Sequence, residues 1–251
     1  MRVIAITQAR SGSTRLPKKV LLEIENKTLL QIHVDRIKQS KKIDDIYIAT
    51  TTNKSDDCIV DLAKEFKVNY SRGSEEDVLD RFYQTVKDVK PDYIVRLTSD
   101  CPLIDPKLID EVVEIAINKK LDYYSNVLLE RYPDGQDIEV FTFKALEKAW
   151  KEADLKSERE HVTPYIRNNS SYKDGKLFSS DNHFLEENYN HVRLTVDEQS
   201  DLEAISEVIA KLGVEKGWKT YADFYLNNQE IRSINQSIIR NEGYKKSLKK
   251  E

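Results

Sequence analysis

Residues 2–19 read RVIAITQARSGSTRLPKK, a short apolar stretch followed directly by a polar, cationic one. Residues 2–7 are β-branched and apolar almost throughout, which is typical of a strand buried on both faces of a parallel sheet. Residues 8–19 then bring four cations, three hydroxyl groups and one glycine to the carboxyl end of that strand. Open α/β sheets bind their ligands at this edge. Because arginine and lysine donate to phosphate oxygens and glycine allows close backbone approach, the stretch predicts an α/β fold with a phosphate site.

This loop carries neither of the two common phosphate-binding signatures. It lacks the G-x-x-x-x-G-K-[ST] motif of the Walker loop and the G-x-G-x-x-G motif of dinucleotide-binding folds. A solvated basic loop is the alternative interpretation. The position of the cations immediately behind a buried strand favours the phosphate site.

The composition excludes several classes of protein. At 251 residues the chain can form one α/β domain with a sizeable core, and its net charge of -4 argues against a general nucleic-acid binder. We find no apolar stretch long enough to span a membrane and no signal-like N-terminus, so we expect a cytoplasmic protein. Two cysteines, Cys58 and Cys101, suit a reducing compartment. The four histidines lack metal-ligand spacing, which makes a zinc site unexpected.

Strand and helix patterns alternate along the first half of the chain. Strands are predicted over 2–7, 46–50, 68–70 and 92–97, with helices over 28–40, 55–66 and 75–89 and another from Pro106. This alternation predicts a mostly parallel, doubly wound sheet in a Rossmann-like three-layer α/β/α arrangement.

The second half has a weaker alternation. We expect strands over 122–127, 136–142 and 192–196, a short one near 176–178, and helices over 143–153, 157–168 and 200–212. Ser157 with Glu160, and Ser200 with Glu203, have capping-box spacing. The predicted organisation is a domain over 1–218 and a helical C-terminal extension over 219–251.

Two aspartates follow predicted strands. Asp100 comes just after the strand 92–97 and Asp197 just after the strand 192–196. Asp201 is expected to sit in the first turn of a helix, contributing only a few tenths of a kcal/mol there. Asp100 could equally cap a turn, but two strand-end carboxylates beside a cationic loop favour Mg²⁺ and metal-assisted phosphoryl or nucleotidyl transfer.

Three further segments carry polar side chains. Arg72 and Gly73 occupy a strand-to-helix turn, Asp137 and Glu139 share one strand face, and Glu160 and His161 lie in a predicted helix. A plain turn, an exposed edge strand, and capping with surface charge explain them about as well from the residues alone.

Five segments, taken in order, resemble the cytidylyltransferase family, which includes the CMP-Kdo and CMP-sialic acid synthetases. They read QARSGSTRLPKKVL, RGSEEDVLDRF, VRLTSDCPLIDP, EREHVTPYI and VRLTVDEQSDLE, within about residues 2–210. The chain is most similar to the SpsF-type branch, named for spore coat polysaccharide biosynthesis, and residues 234–244 also resemble that branch. Two departures stand out: relatives usually have glycine in place of Lys18, and sialic acid synthetases differ around Thr14 and Arg15.

The resemblance implies a nucleotide-diphospho-sugar transferase-like fold and a role for each matched residue. Arg10, Arg15 and Lys19 match the residues that bind the triphosphate, and Asp100 and Asp197 match the carboxylates that hold Mg²⁺. These five are the predicted catalytic residues. The predicted nucleotide-binding residues are Gln8, Ala9, Arg10, Ser11, Gly12, Arg15, Lys19, Arg72, Gly73, Thr98, Ser99 and Asp100, among which Arg72, Thr98 and Ser99 match cytidine recognition. The predicted acceptor-binding residues are Asp137, Glu139, Glu160 and His161.

The implied activity is transfer of CMP from CTP to a small anionic sugar, sugar acid or phosphorylated acceptor, with release of pyrophosphate, for cell-surface polysaccharide or capsule. No nucleic acid or membrane partner is expected, and a homodimer is. Two alternatives are a glycosyltransferase that consumes a nucleotide sugar and a nucleotide-binding protein without catalysis. The first usually carries a D-x-D motif, whereas this chain has Ser99-Asp100-Cys101. Retention of both Asp100 and Asp197 argues against the second.

Overall fold

A mixed sheet of seven strands forms the centre of the protein, which a computed structural model describes over residues 1–242, 244 and 248. Its strand order is β5-β4-β1-β6-β8-β7-β9. The strands are β1 (Val3–Gln8), β4 (Asp45–Thr51), β5 (Asn69–Gly73), β6 (Tyr93–Thr98), β7 (Tyr123–Ser125), β8 (Glu139–Thr142) and β9 (Ser180–Asn182). β8 is antiparallel to both of its neighbours, whereas the other pairings are parallel. A two-stranded ribbon, β2 (Glu23–Ile24) and β3 (Lys27–Thr28), follows the first loop.

Helices cover both faces of this sheet. They are α1 (Leu29–Ile37), α2 (Asp57–Glu65), α3 (Val78–Val86), α4 (Pro106–Lys119), α5 (Phe143–Glu152), α6 (Lys156–His161), α7 (Pro164–Asn168), α8 (Gln199–Leu212), α9 (Trp218–Asn227) and α10 (Gln229–Asn235). α1, α2 and α4 pack on one face, and α3 and α5 pack on the other. The predicted three-layer fold with a mostly parallel mixed sheet is confirmed.

Local sequence explains where several helices begin. The Thr28 hydroxyl accepts a hydrogen bond from the Gln31 amide at the start of α1. Asp105 caps α4 in the same way, with Pro106 in the first turn, where its missing N–H costs nothing. The alternating residues of β1 divide between the two cores, Val3 and Ala5 facing α4 while Ile4 and Ile6 face α3.

The predicted helix over 157–168 is wrong in its extent. The structure has two short helices, α6 and α7, because Val162 adopts φ 72 and Pro164 begins the second helix. Glu158, rather than Glu160, accepts a hydrogen bond from the backbone at the start of α6, at 3.3 Å from the Leu155 amide. The prediction that Glu160 takes part in capping this helix is therefore wrong.

The predicted strands over 192–196 and near 176–178 are also corrected. Residues 192–196 form an extended segment with an isolated bridge between Asp134 and Arg193, and the strand at this edge of the sheet, beside β7, is β9. The segment reads as a strand because Val192, Leu194 and Val196 alternate into the core against α8. Its N–H groups donate to carbonyls of three separate segments and not to one neighbouring strand. The alternation of apolar residues therefore indicated which side chains are buried, not that the segment pairs as a strand.

The C-terminal helices share this core. Tyr221, Ala222 and Tyr225 of α9 are fully buried beside Ile205 and Val208 of α8. Part of the predicted frayed tail, residues 245–251 apart from 248, lies outside the described residues. Within the part of the chain that is described, no helix has the length and apolarity needed to cross a bilayer.

Candidate active site

The loop after β1 is fixed to the start of α2. The Ser11 amide and hydroxyl both donate to Asp56 Oδ1, at 2.8 and 2.6 Å, and Thr51 Oγ1 donates to Asp56 Oδ2 at 2.5 Å. Burial would raise the pKa of Asp56, but these hydrogen bonds hold it below its ordinary value. The buried Asp56 carboxylate therefore fixes the middle of the loop through its hydrogen bonds with Ser11.

Lys18 adopts the left-handed backbone conformation that glycine prefers. Its φ is 56° and ψ 25°, and its amide donates to the Ser11 carbonyl at 3.0 Å. The loop thus keeps a turn suited to glycine although the residue is lysine, a conformation that costs a non-glycine residue about 1 kcal/mol. The Lys18 side chain is exposed, whereas the Lys19 side chain is only 14% exposed.

Lys19 lies between two carboxylates from distant parts of the chain. Its Nζ is 3.1 Å from Asp100 Oδ2 and 2.6 Å from Asp197 Oδ1. Burial lowers the pKa of Lys19, but the charges of the two aspartates outweigh it and raise that pKa above its ordinary value. Burial raises the pKa of Asp100, and the Lys19 charge reverses the shift. Lys19 and Asp100 are therefore both charged at neutral pH.

Two arginines, Arg15 and Arg193, lie beside Asp197. Arg15 Nη2 lies 2.9 Å from Asp197 Oδ2. Arg193 donates to the fully buried Asp201 through its Nε and Nη2, at 2.7 and 2.8 Å. Asp201 Oδ2 also accepts from the amides of Asp197 and Glu198, at 3.0 and 3.1 Å. Asp201 thus fixes the backbone of this turn and the Arg193 side chain. The prediction that it has only a minor role in the first turn of α8 is wrong.

The Asp100 turn is held from below by buried polar groups. Ser99 Oγ donates to the Gln8 carbonyl at 2.7 Å, and the Val196 amide donates to the Asp100 carbonyl at 2.8 Å. His33 bridges the Thr7 hydroxyl, at 3.0 Å, and the Cys101 carbonyl, at 2.8 Å. Burial lowers the pKa of His33 to about 4, so it is neutral at pH 7. These contacts fix the spacing between the first loop and Asp100.

A cavity of about 830 Å³ opens above this edge of the sheet. Of the predicted site residues, it brings together Gln8, Ala9, Arg10, Arg15, Lys19, Thr98, Ser99, Asp100, Glu160, His161 and Asp197. The other predicted residues, Ser11, Gly12, Arg72, Gly73, Asp137 and Glu139, are described but do not line it. The cationic loop, the two aspartates and α6 therefore share one space.

Arg72 is directed away from this cavity. Its guanidinium binds the Thr51 and Asn53 carbonyls, each at 2.8 Å, and Asp57 Oδ1 at 2.7 Å. Gly73 lies behind Arg81, whose Cγ would be only 3.0 Å from a β-carbon added at Gly73. The glycine therefore makes room for the Arg81 side chain.

The predicted acceptor residues fall into two groups. Glu160 and His161 line the cavity, and burial lowers the pKa of His161 to about 4. Glu139 is buried beneath them, with its carboxylate 2.5 Å from both Arg96 Nη1 and Tyr123 Oη. Asp137 does not line the cavity and forms an ion pair with Arg240 at 2.5 Å.

Sequence reasoning missed Arg81, Lys156 and Glu242, which also line the cavity. Arg81 is 3% exposed and donates to the Ser74 carbonyl at 2.7 Å. Burial lowers its pKa to about 10, with the nearby Arg10 charge adding to the shift. The sequence carried one signal of this role, because Arg81 lies on the apolar face of α3 beside Val78. A buried cation is costly unless it is paired, so its presence on this face indicates a function.

Asp100 and Asp197 also fit a divalent cation. Their oxygens already bind one cation, the Lys19 ammonium, from opposite segments. Among the residues described, no group of three or more histidine, cysteine or acidic side chains is placed to hold a metal. Two carboxylates completed by phosphate oxygens and water are the usual environment of Mg²⁺ in phosphoryl-transfer sites.

Comparison with known proteins identifies the family. A family model described as cytidylyltransferase matches residues 4–231. An uncharacterized protein of Methanocaldococcus jannaschii is 42% identical over 248 residues, 98% of each chain. The spore coat polysaccharide biosynthesis protein SpsF of Bacillus subtilis is 36% identical over 216 residues, 84% of this chain and 88% of that one. The structure of a cytidylyltransferase from Leptospira borgpetersenii is 33% identical, with a TM-score of 0.86 over 95% of this chain and 98% of that one. The predicted resemblance is confirmed: this chain belongs to the cytidylyltransferase family and is a CTP-dependent nucleotidyltransferase.

Proposed function

We propose that the protein transfers CMP from CTP to a small anionic sugar, sugar acid or phosphorylated acceptor, and that Asp100 and Asp197 hold the Mg²⁺ that accompanies the nucleotide. The observation that carries this proposal is the convergence of these two carboxylates on one cation position. They share the cavity with Arg10, Arg15 and Lys19 of the first loop. Paired acidic and cationic groups in one cleft suit a metal–triphosphate ligand better than either set alone.

In the proposed reaction an acceptor oxygen attacks the α-phosphorus of CTP, the bond to the bridging oxygen breaks, and pyrophosphate leaves. Arg10 and Arg15 bind phosphate oxygens. Lys19, which stays protonated, leaves the two carboxylates to Mg²⁺ and stabilises charge that grows on the leaving group. Mg²⁺, when bound, would neutralise phosphate charge and orient the oxygens. No side chain needs to form a covalent bond, because alignment and charge stabilisation supply the catalysis.

Three side chains of α6 suit the acceptor. Lys156 offers a cation, Glu160 accepts hydrogen bonds from hydroxyl groups, and His161 is neutral at pH 7 because burial lowers its pKa to about 4. This mixture fits a hydroxyl-rich anion such as a sugar acid or sugar phosphate. The Bacillus subtilis relative is named for spore coat polysaccharide biosynthesis, which supports a product used in a cell-surface polysaccharide.

A pyrophosphate-release screen tests this function. The protein is incubated with Mg²⁺, one of the four common nucleoside triphosphates, and a panel of sugar acids and sugar phosphates that includes 3-deoxy-manno-octulosonate. The proposal expects equal amounts of pyrophosphate and a CMP-linked acceptor, detected by mass spectrometry, with CTP only. Release of a nucleoside diphosphate from a nucleotide sugar, or pyrophosphate release without any CMP-linked product, would contradict it.

A further inference from the structure

Residues at the C-terminus return to the cavity. We call Arg240, Asn241, Glu242 and Tyr244 the C-terminal clasp. Arg240 Nη2 lies 2.5 Å from Asp137 Oδ1, and its Nη1 donates to the Tyr132 carbonyl at 3.0 Å. The Arg240 side chain is only 12% exposed. The clasp is therefore attached to the turn before β8 by a largely buried ion pair.

The acidic surroundings of Arg240 explain this attachment. Asp134 Oδ1 and Glu130 Oε2 lie 3.9 and 3.8 Å from its Nε. Burial raises the pKa of Asp137, and Arg240 is the foremost charge that opposes the rise. Removal of the arginine would leave buried carboxylates without their counter-charge, a costly state. Asn241 adds a second tie, with its Nδ2 2.6 Å from Glu130 Oε1.

Beyond this attachment the clasp reaches α6 and α7. Glu242 lines the cavity together with Lys156, Glu160 and His161. The Tyr244 ring meets the His161 ring edge-on, with centroids 4.9 Å apart, and the Arg167 guanidinium lies 5.5 Å from the centre of the same tyrosine ring. The clasp thus connects the turn before β8 with the helices that carry the proposed acceptor residues.

We propose that the C-terminal clasp forms one wall of the acceptor site and that Glu242 and Tyr244 determine which acceptor binds. This inference rests on the proposed function, which makes the α6 end of the cavity the acceptor end. Tyr244 packs edge-on against His161, and Glu242 adds a carboxylate to the cavity that Lys156 also lines. The clasp therefore selects a hydroxyl-rich acceptor with a single anionic group, because Glu242 accepts hydroxyl hydrogen bonds and repels a second negative charge.

The position of the clasp is tested by NMR titration of the four histidines. The charged and titratable groups around His161 are Glu160, Glu139, Arg96, Arg167 and Tyr244. Tyr244→Ala uncovers the ring, so we expect the His161 pKa to rise by more than about one unit from about 4, toward its ordinary value of 6.5. His33 is an internal reference, since its burial does not involve the clasp. An unchanged His161 pKa in Tyr244→Ala would overturn the proposed wall.

Two further variants separate the clasp from general stability. Arg240→Gln keeps a hydrogen-bond donor but removes the charge that binds Asp137, and it should raise the His161 pKa in the same direction. Lys219→Ala is the matched control, because it removes an ion pair of the same C-terminal extension, 2.7 Å from Glu187, at exposed side chains. A Lys219→Ala shift of the same size would show a general loosening and contradict the proposal.

Selection is tested with the acceptor that gives the fastest pyrophosphate release in the screen. Tyr244→Ala should raise the acceptor KM about three- to tenfold, because His161 loses the aromatic contact that positions it, and leave the KM for CTP within about twofold. Glu242→Gln should improve kcat/KM for a doubly charged sugar phosphate relative to a singly charged sugar acid. Unchanged acceptor KM and preference, or an equal rise in the KM for CTP, would overturn the inference. If the wild type releases no pyrophosphate with any acceptor, the proposed function fails and the acceptor role fails with it, while the titration still decides whether the clasp covers the cavity.

Discussion

Neutralising Asp201 should destabilise the protein far more than its place in a first helical turn suggests. Asp201 is fully buried, receives two hydrogen bonds from Arg193 and two from backbone amides, and is 3.0 Å from Asn235 Nδ2. Asp201→Asn keeps the shape but removes the fully buried one of the two carboxylates that Arg193 binds, leaving only Asp134 at 2.7 Å. Breaking one side of such a pair costs about 3–5 kcal/mol. For a chain of this size each kcal/mol lowers Tm by about 2–4 °C, so we expect a fall of at least about 6 °C.

Thermal unfolding followed by circular dichroism measures this effect. The matched control is Asp181→Asn, which removes the same charge from a half-exposed pair with Lys119 at 2.7 Å. That pair should contribute no more than about 1 kcal/mol. If Asp201→Asn and Asp181→Asn lower Tm equally, the buried network around Arg193 does not stabilise the fold as argued.

The remaining predictions concern the first loop and its buried support. Lys19→Ala should weaken Mg²⁺–CTP binding about tenfold or more in calorimetry, whereas Lys18→Ala should change it less than about twofold, because the Lys18 side chain is exposed; a larger loss with Lys18→Ala would refute the assigned contacts. His33 binds a proton below pH 6.5 when unfolded but only near pH 4 when folded. Its contribution to stability is therefore complete above pH 6.5 and is lost as the pH falls toward 4, by about 1.4 kcal/mol per pH unit. Urea unfolding at pH 7.5 and 5 should show a smaller loss for His33→Gln than for wild type, and equal losses would contradict the buried neutral histidine.

The sequence predicted the parts of the fold that repeat a simple pattern. β1, β4 and β6 are continuous apolar runs between helical segments, so their parallel arrangement follows from the alternation alone. The segment 192–196 shows where the pattern is insufficient. Gly135 has φ 108° and a β-carbon there would lie 2.7 Å from the Leu194 carbonyl, so the segment crosses a turn closely and pairs with it at isolated points. Periodicity reports which side chains are buried, not which backbone groups pair.

The candidate site divides in the same way. The loop cations, Asp100 and Asp197 were predictable because they directly follow buried segments at one edge of the sheet. Glu242 was not, since it enters the cavity from a C-terminal segment whose direction depends on tertiary packing. Arg81 was missed although its place on the apolar face of α3 was a signal in the sequence. Arg72 illustrates the reverse case: its guanidinium binds the backbone of the neighbouring turn, so its position at a strand-to-helix turn did not place it in the cavity.

Calorimetric titration of CTP into wild type and Asp100→Asn, each with and without Mg²⁺, tests directly whether Asp100 helps to hold the metal. The two carboxylates converge on one cation position, so CTP should bind wild type more tightly with Mg²⁺ than without it. Asp100→Asn should lose most of that metal-dependent gain, and a cooperative unfolding transition above the titration temperature verifies that the variant is folded. If Asp100→Asn keeps the full Mg²⁺-dependent gain in CTP affinity, Asp100 is not a metal ligand and the proposed magnesium site is contradicted.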